Sequence, residues 1–155
     1  MKKLARILPY YDIDYKIIKM YRKANKLLNR NKYIRSRLIF YKVQYLYKCI
    51  ISPSAEIGNN FKIPHPIGIV IGEKVKIGNN AIIYHNVTIG QNNNDFPQLG
   101  DNVVVYPGSI IVGKIKIGNN VIIGANSFVN KDIPDNTIVA GNPAKVIKNG
   151  DKKWA

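Results

Sequence analysis

The stretch Ile77-Gly-Asn-Asn-Ala-Ile-Ile-Tyr-His-Asn-Val-Thr-Ile-Gly90 decides how this chain is read. Ile77, Ile83 and Ile89 stand six residues apart. The spacing runs back through Ile71, Ile69, Ile63 and Ile57. After a break it resumes at Leu99, Val105, Ile111, Ile117, Ile123 and Val129. Ile-Gly-Asn-Asn recurs at Ile57, Ile77 and Ile117. A period of six is neither helical nor a strand alternation. It suits a coil with three flat faces, one hexad per face, whose aliphatic opener points inward. Gly and Asn supply the corners, because both tolerate positive φ. One coil cannot bury its own aliphatic residues; a stack of coils can. β-branched Ile and Val suit the pleated faces of such a stack.

The phase slips twice. Two extra residues lie between Ile69 and Ile77, and Gln91-Asn-Asn-Asn-Asp-Phe-Pro-Gln98 exceeds a hexad by four. The second is Asn-rich and reads as a loop thrown out from a corner, a common place for function.

Outward from the repeat, the chain divides into a basic helical segment (1–49), the coils (50–133) and a closing segment (134–155). The first segment carries net charge +12 of the total +15. Ile13, Ile17, Tyr21, Ala24 and Leu28 predict a helix over 12–30, with Asp12 as N-cap. Ile34, Leu38, Tyr41, Tyr45 and Cys49 predict the apolar face of a second, from about Tyr33 to Tyr47. Three readings of this basic, Tyr-rich pair stay open. It packs on the coils with a solvated basic face, it rests on an anionic membrane surface, or it meets nucleic acid. Only charge supports the last, since no nucleic-acid module is visible, and nucleic acid is not expected as a partner. No signal peptide or membrane span is read, and the lone Cys49 forms no intrachain disulfide. The protein is expected in the cytoplasm, at the inner face of the membrane if the helices bind there.

The two histidines, His65 and His85, each stand third in their hexads, after Ile63 and Ile83. Stacking the hexads places them in one column on adjacent coils, about 4.8 Å apart. Pro107 and Ala125 continue it. Histidine is the side chain suited to take a proton from a hydroxyl near neutral pH. Two histidines also suggest a metal, but catalytic sites usually want three protein ligands and none is seen at ligand spacing; no metal is expected.

The repeat resembles the hexapeptide acyltransferase family, whose fold is a left-handed parallel β-helix and whose members form trimers. Pro64-His65-Pro-Ile-Gly-Ile-Val-Ile-Gly-Glu73 is similar to the catalytic stretch of its serine acetyltransferase branch, and Thr137-Ile-Val-Ala-Gly-Asn-Pro-Ala-Lys-Val-Ile147 to its terminal motif. The resemblance implies a homotrimer using acetyl-CoA, with His65 as general base, and His85 beside it is read as a second catalytic residue. It implies a coenzyme A site at Pro107, Ala125, Asn130, Lys131, Lys145 and Lys148. Ile50 and Phe96 stand where that branch carries an Asp paired with the base and a second His. With the basic helices, these departures lead to the expectation of a sugar hydroxyl acceptor, in a capsule, exopolysaccharide or related glycan precursor. Serine is the alternative acceptor, and a non-catalytic trimeric scaffold the alternative of another class.

Overall fold

A computed structural model describes residues 13–149. Two helices, α1 (Ile13–Leu28) and α2 (Tyr33–Tyr47), precede a parallel β-solenoid with three sheets. The first sheet stacks β1 (Ile50–Ile51), β3 (Val70–Ile71), β6 (Thr88–Gly90), β9 (Ile110–Val112) and β12 (Phe128–Val129). The second stacks β2 (Glu56–Ile57), β4 (Lys76–Ile77), β7 (Gln98–Leu99) and β10 (Lys116–Ile117). The third stacks β5 (Ile82–Ile83), β8 (Val104–Val105), β11 (Ile122–Ile123) and β13 (Thr137–Ala140), and ends on the antiparallel β14 (Lys145–Asn149).

The expected openers form the interior: Ile63, Ile71, Ile83, Ile89, Val105, Ile111 and Ile123 are fully buried. The structure adds a second inward residue two positions before most of them, such as Val75, Ala81, Val87, Val103 and Val121. Each fully buried aliphatic side chain contributes about 1.5–3 kcal/mol. At the corner between the second and third sheets, Asn60, Asn80, Asn102, Asn120 and Asn136 all have φ between 54° and 58°. Each side-chain amide donates to the carbonyl of the next, at 2.9–3.0 Å. A left-handed residue is thus needed there, and Asn ties the coils together as well.

α1 runs over Ile13–Leu28 within the expected 12–30; Asp12, the expected cap, lies outside the described residues. Its apolar face is the one expected, with Ile17, Tyr21 and Ala24 buried. It closes the open edge of the first coil. Tyr21 Oη donates to Ala55 O at 2.7 Å, Asn25 Nδ2 to Pro53 O at 2.8 Å, and Arg22 to Ile57 O and Gly58 O.

α2 corrects the sequence reading. Ile34, Leu38, Tyr41 and Tyr45 are exposed, and the helix instead buries Ser36 and Val43. The reason is close packing against α1: the Ser36 hydroxyl donates to Ala24 O at 2.8 Å, an approach that bulkier side chains would block. Of the face expected from sequence, only Cys49, beyond the helix end, is buried.

The first phase slip is also relocated. Ile71 pairs with Ile51 and Ile89, so the two extra residues fall between Ile63 and Ile71, at the corner that carries His65.

Candidate functional site

The column expected from the repeat is present. Ile83 N donates to Lys62 O, Gly108 N to His85 O and Asn126 N to Pro107 O, which stacks His65, His85, Pro107 and Ala125 at the corner between the third and first sheets. The rings of His65 and His85 lie 6.3 Å apart, edge to face. The longer corner, Pro64 to Gly68, holds exposed His65 at φ 53°. A side chain in this region costs about 1–2 kcal/mol, a strain that often marks function. On the next coil, His85 Nδ1 is buried without a hydrogen-bond partner among the described residues. Such a group costs about 1–3 kcal/mol unless something meets it.

The helices bring further residues to His65. A cleft of about 610 Å³ is lined by Ile13 and Asp14 of α1, by Leu46, Tyr47 and Lys48 at the end of α2, and by Lys62, Pro64, His65, Pro66 and Ile67. Sequence reading missed this set, because helix docking joins positions some 50 residues apart; the lone acid at the start of α1 was its only trace. Asp14 and Lys62 form no ion pair with any described residue, while Lys48 Nζ lies 5.0 Å from the Tyr45 ring centroid. The lining therefore offers one carboxylate and two ammonium groups around an imidazole. Among the described residues no three His, Cys, Asp or Glu side chains gather as a metal site would require.

The residues expected to bind coenzyme A divide into two groups. Pro107 and Ala125 continue the histidine column. The N–H and C=O of Ala125 make no backbone hydrogen bond among the described residues, whereas Pro107 O already accepts from Asn126. Lys145 and Lys148 are exposed on β14, paired with Ala140 and Ile138 at the upper end of the third sheet. Asn130 and Lys131 are not brought to this corner. They follow β12, at the corner between the first and second sheets. The loop Gln91–Gln98 springs from that corner too, its Phe96 ring 5.2 Å from Lys74 Nζ. One chain thus carries histidines on one edge of its prism and loop, Asn130 and Lys131 on another.

The corner histidines thus stand on a hexapeptide-repeat β-solenoid, and residues 96–131 match the bacterial transferase hexapeptide (six repeats) family. More particularly, the chain is similar to serine acetyltransferases. It is 39% identical over 134 residues to the serine acetyltransferase of Staphylococcus epidermidis, covering 84% of this chain and 63% of that protein. The solved serine acetyltransferase of Neisseria gonorrhoeae superposes with a TM-score of 0.87 at 30% identity, over 91% of this chain and 56% of that one. A serine acetyltransferase solved in complex with CoA gives 0.81 at 30% identity, over 84% and 55%. The chain thus spans less than two thirds of the length of these relatives. The comparisons overturn the expected sugar acceptor: relatives and solved neighbours alike are serine acetyltransferases. The missing Asp and His, together with the basic helices, suggested a different substrate, but that reading omitted the charged side chains, Asp14 and Lys48, that the helices bring to the cleft of His65.

Proposed function

We propose that this chain is an acetyl-CoA-dependent serine O-acetyltransferase working in the cytoplasm. The observation that carries the reading is the cleft around His65, whose charges complement a zwitterion. Asp14 meets the α-ammonium group of serine, and Lys62, with Lys48 beside it, meets the α-carboxylate. The hydroxyl then points at His65. The imidazole takes the hydroxyl proton as the oxygen attacks the thioester carbonyl carbon. The C–S bond breaks, and the imidazolium returns the proton to the coenzyme A sulfur. General base catalysis of this kind contributes roughly 10²–10⁴-fold. His85, packed against the His65 ring, orients it.

The donor's arm follows the column past Ala125 and Pro107, and its phosphates meet Lys145 and Lys148. The two-edge distribution supports a homotrimer in which the loop, Asn130 and Lys131 of one subunit face the histidines of the next.

The test is coenzyme A release from acetyl-CoA, followed by thiol trapping, with serine, ethanolamine and 3-hydroxypropionate. Serine is expected to be turned over far better than either truncated acceptor. Asp14→Asn should raise KM for serine and ethanolamine about tenfold, the worth of one charged contact, and leave 3-hydroxypropionate unchanged. Measurable acetyl-CoA binding without serine turnover would overturn the reading.

A further inference from the structure

The exposed face of α2 has no role in the chemistry above. Ile34, Leu38, Tyr41 and Tyr45 are 78%, 64%, 47% and 76% exposed. At about 100° per residue they form one stripe about 60° wide, on the side of the helix opposite Ser36 and Val43, which pack inward. Arg37 borders the stripe on one side, Arg35 and Lys42 on the other. The Arg37 guanidinium lies 5.4 Å from the Tyr41 ring centroid. No acidic residue occurs between Tyr15 and Ala55.

We propose that α2 lays this stripe onto an anionic lipid bilayer surface, with the tyrosines at headgroup depth and the flanking cations against lipid phosphates. No helix among the described residues is long and apolar enough to cross a membrane. The contact is therefore in the plane of the surface, where an apolar face bordered by Lys and Arg partitions. Charge selects this occupant over a second copy of the chain. Residues 13–48 carry 11 Lys and Arg against Asp14 alone, so two copies joined here would set like charge against like. An anionic surface gains from the cations that border the stripe, Arg35, Arg37 and Lys42.

The experiment is co-sedimentation of the full chain with phosphatidylcholine vesicles, either pure or containing about a quarter phosphatidylglycerol. The comparison is with an Ile34→Ser, Leu38→Ser, Tyr41→Ser, Tyr45→Ser variant. These positions face away from the packed side, so the variant should keep its circular dichroism. Wild type is expected to bind the anionic vesicles at least tenfold more tightly than the neutral ones. The variant should lose at least tenfold at about 0.15 M salt, where charge alone is screened. A Tyr45→Trp chain should shift its emission to the blue on adding anionic vesicles, a readout that does not depend on the multiple variant folding. Three results would each overturn the proposal. Wild type stays in the supernatant; the variant binds as tightly as wild type; or the variant's sedimentation mass drops while neither chain binds vesicles, which makes the stripe a contact between copies.

Discussion

Gly78 and Gly90 both follow an inward Ile, yet they should respond oppositely to a methyl group. A Cβ on Gly78 would lie 2.5 Å from Gly100 O and 2.6 Å from Gly100 C, which belong to the backbone of the next coil. It would also lie 2.3 Å from Asp101 Oδ1, but that side chain can swing away. A backbone carbonyl cannot. Restoring ordinary contact requires the coils to part by roughly 0.8 Å at this corner, since carbon contacts settle near 3.5 Å. Gly78 N donates to Leu99 O at 2.9 Å and Asn79 N to Asp101 Oδ1 at 2.6 Å, and both bonds span the gap that must open. Overpacking costs about 1–3 kcal/mol and each hydrogen bond about 1 kcal/mol, so Gly78→Ala should lose about 3–5 kcal/mol. That is a large part of a typical total of 5–15 kcal/mol. Gly90 has nothing within 4 Å of its Cβ direction, so Gly90→Ala should stay within about 0.5 kcal/mol of wild type, or gain slightly from a stiffer unfolded chain. Urea titration by far-ultraviolet circular dichroism, at one protein concentration, reads both. With a slope of about 1–3 kcal/mol/M, the first variant should melt at least about 1 M earlier. Equal midpoints for the two would refute the close-approach argument.

His65→Ala should lower kcat by roughly 10²–10⁴-fold with acetyl-CoA affinity unchanged; an active His65→Ala would remove His65 from the mechanism. Tyr21→Phe should cost about 1 kcal/mol, because Ala55 O keeps a second donor in Asn25 Nδ2 at 3.3 Å. Burial pushes the Tyr21 phenol above its ordinary pKa. The proton is thus held more tightly in the folded state, and stability should fall as pH rises past the ordinary tyrosine range. Tyr21→Phe should flatten that fall, and an unchanged alkaline limb would count against it. Burial likewise raises the Cys49 thiol, whose Sγ donates to Pro66 O at 2.7 Å. A thiol reagent should modify Cys49 at least about tenfold more slowly in the folded chain than in urea. Equal rates would show that the site opens.

The coils were legible because every sixth residue must point inward, and a slip by one would expose a whole ladder of Ile and Val. His65 and His85 were placed by the same arithmetic. The face of α2 was not legible. Its sequence offers a large apolar stripe and, opposite, a smaller surface at Ser36 and Val43. Periodicity ranks them by size, whereas docking on α1 selected the one that permits close approach. Asp14 and Lys62 were hidden for a related reason. Their meeting at His65 depends on how α1 seats on the first coil, which no local pattern encodes. Asn130 and Lys131 were assigned by likeness of motif, and the coil phase, which places them at a different corner, was not applied to them.

A stack of like coils has no length of its own. Each added coil offers the next the same ladder of peptide groups, which is how a fibre grows from identical parts. Tyr21, Arg22 and Asn25 spend their hydrogen bonds on carbonyls that a further coil, or another molecule, would otherwise take. At the far end β14 turns back antiparallel and breaks the pattern. The helix that carries Asp14 to the cleft is therefore also a terminator. Truncation within α1 would leave a template for end-to-end growth as well as an incomplete site.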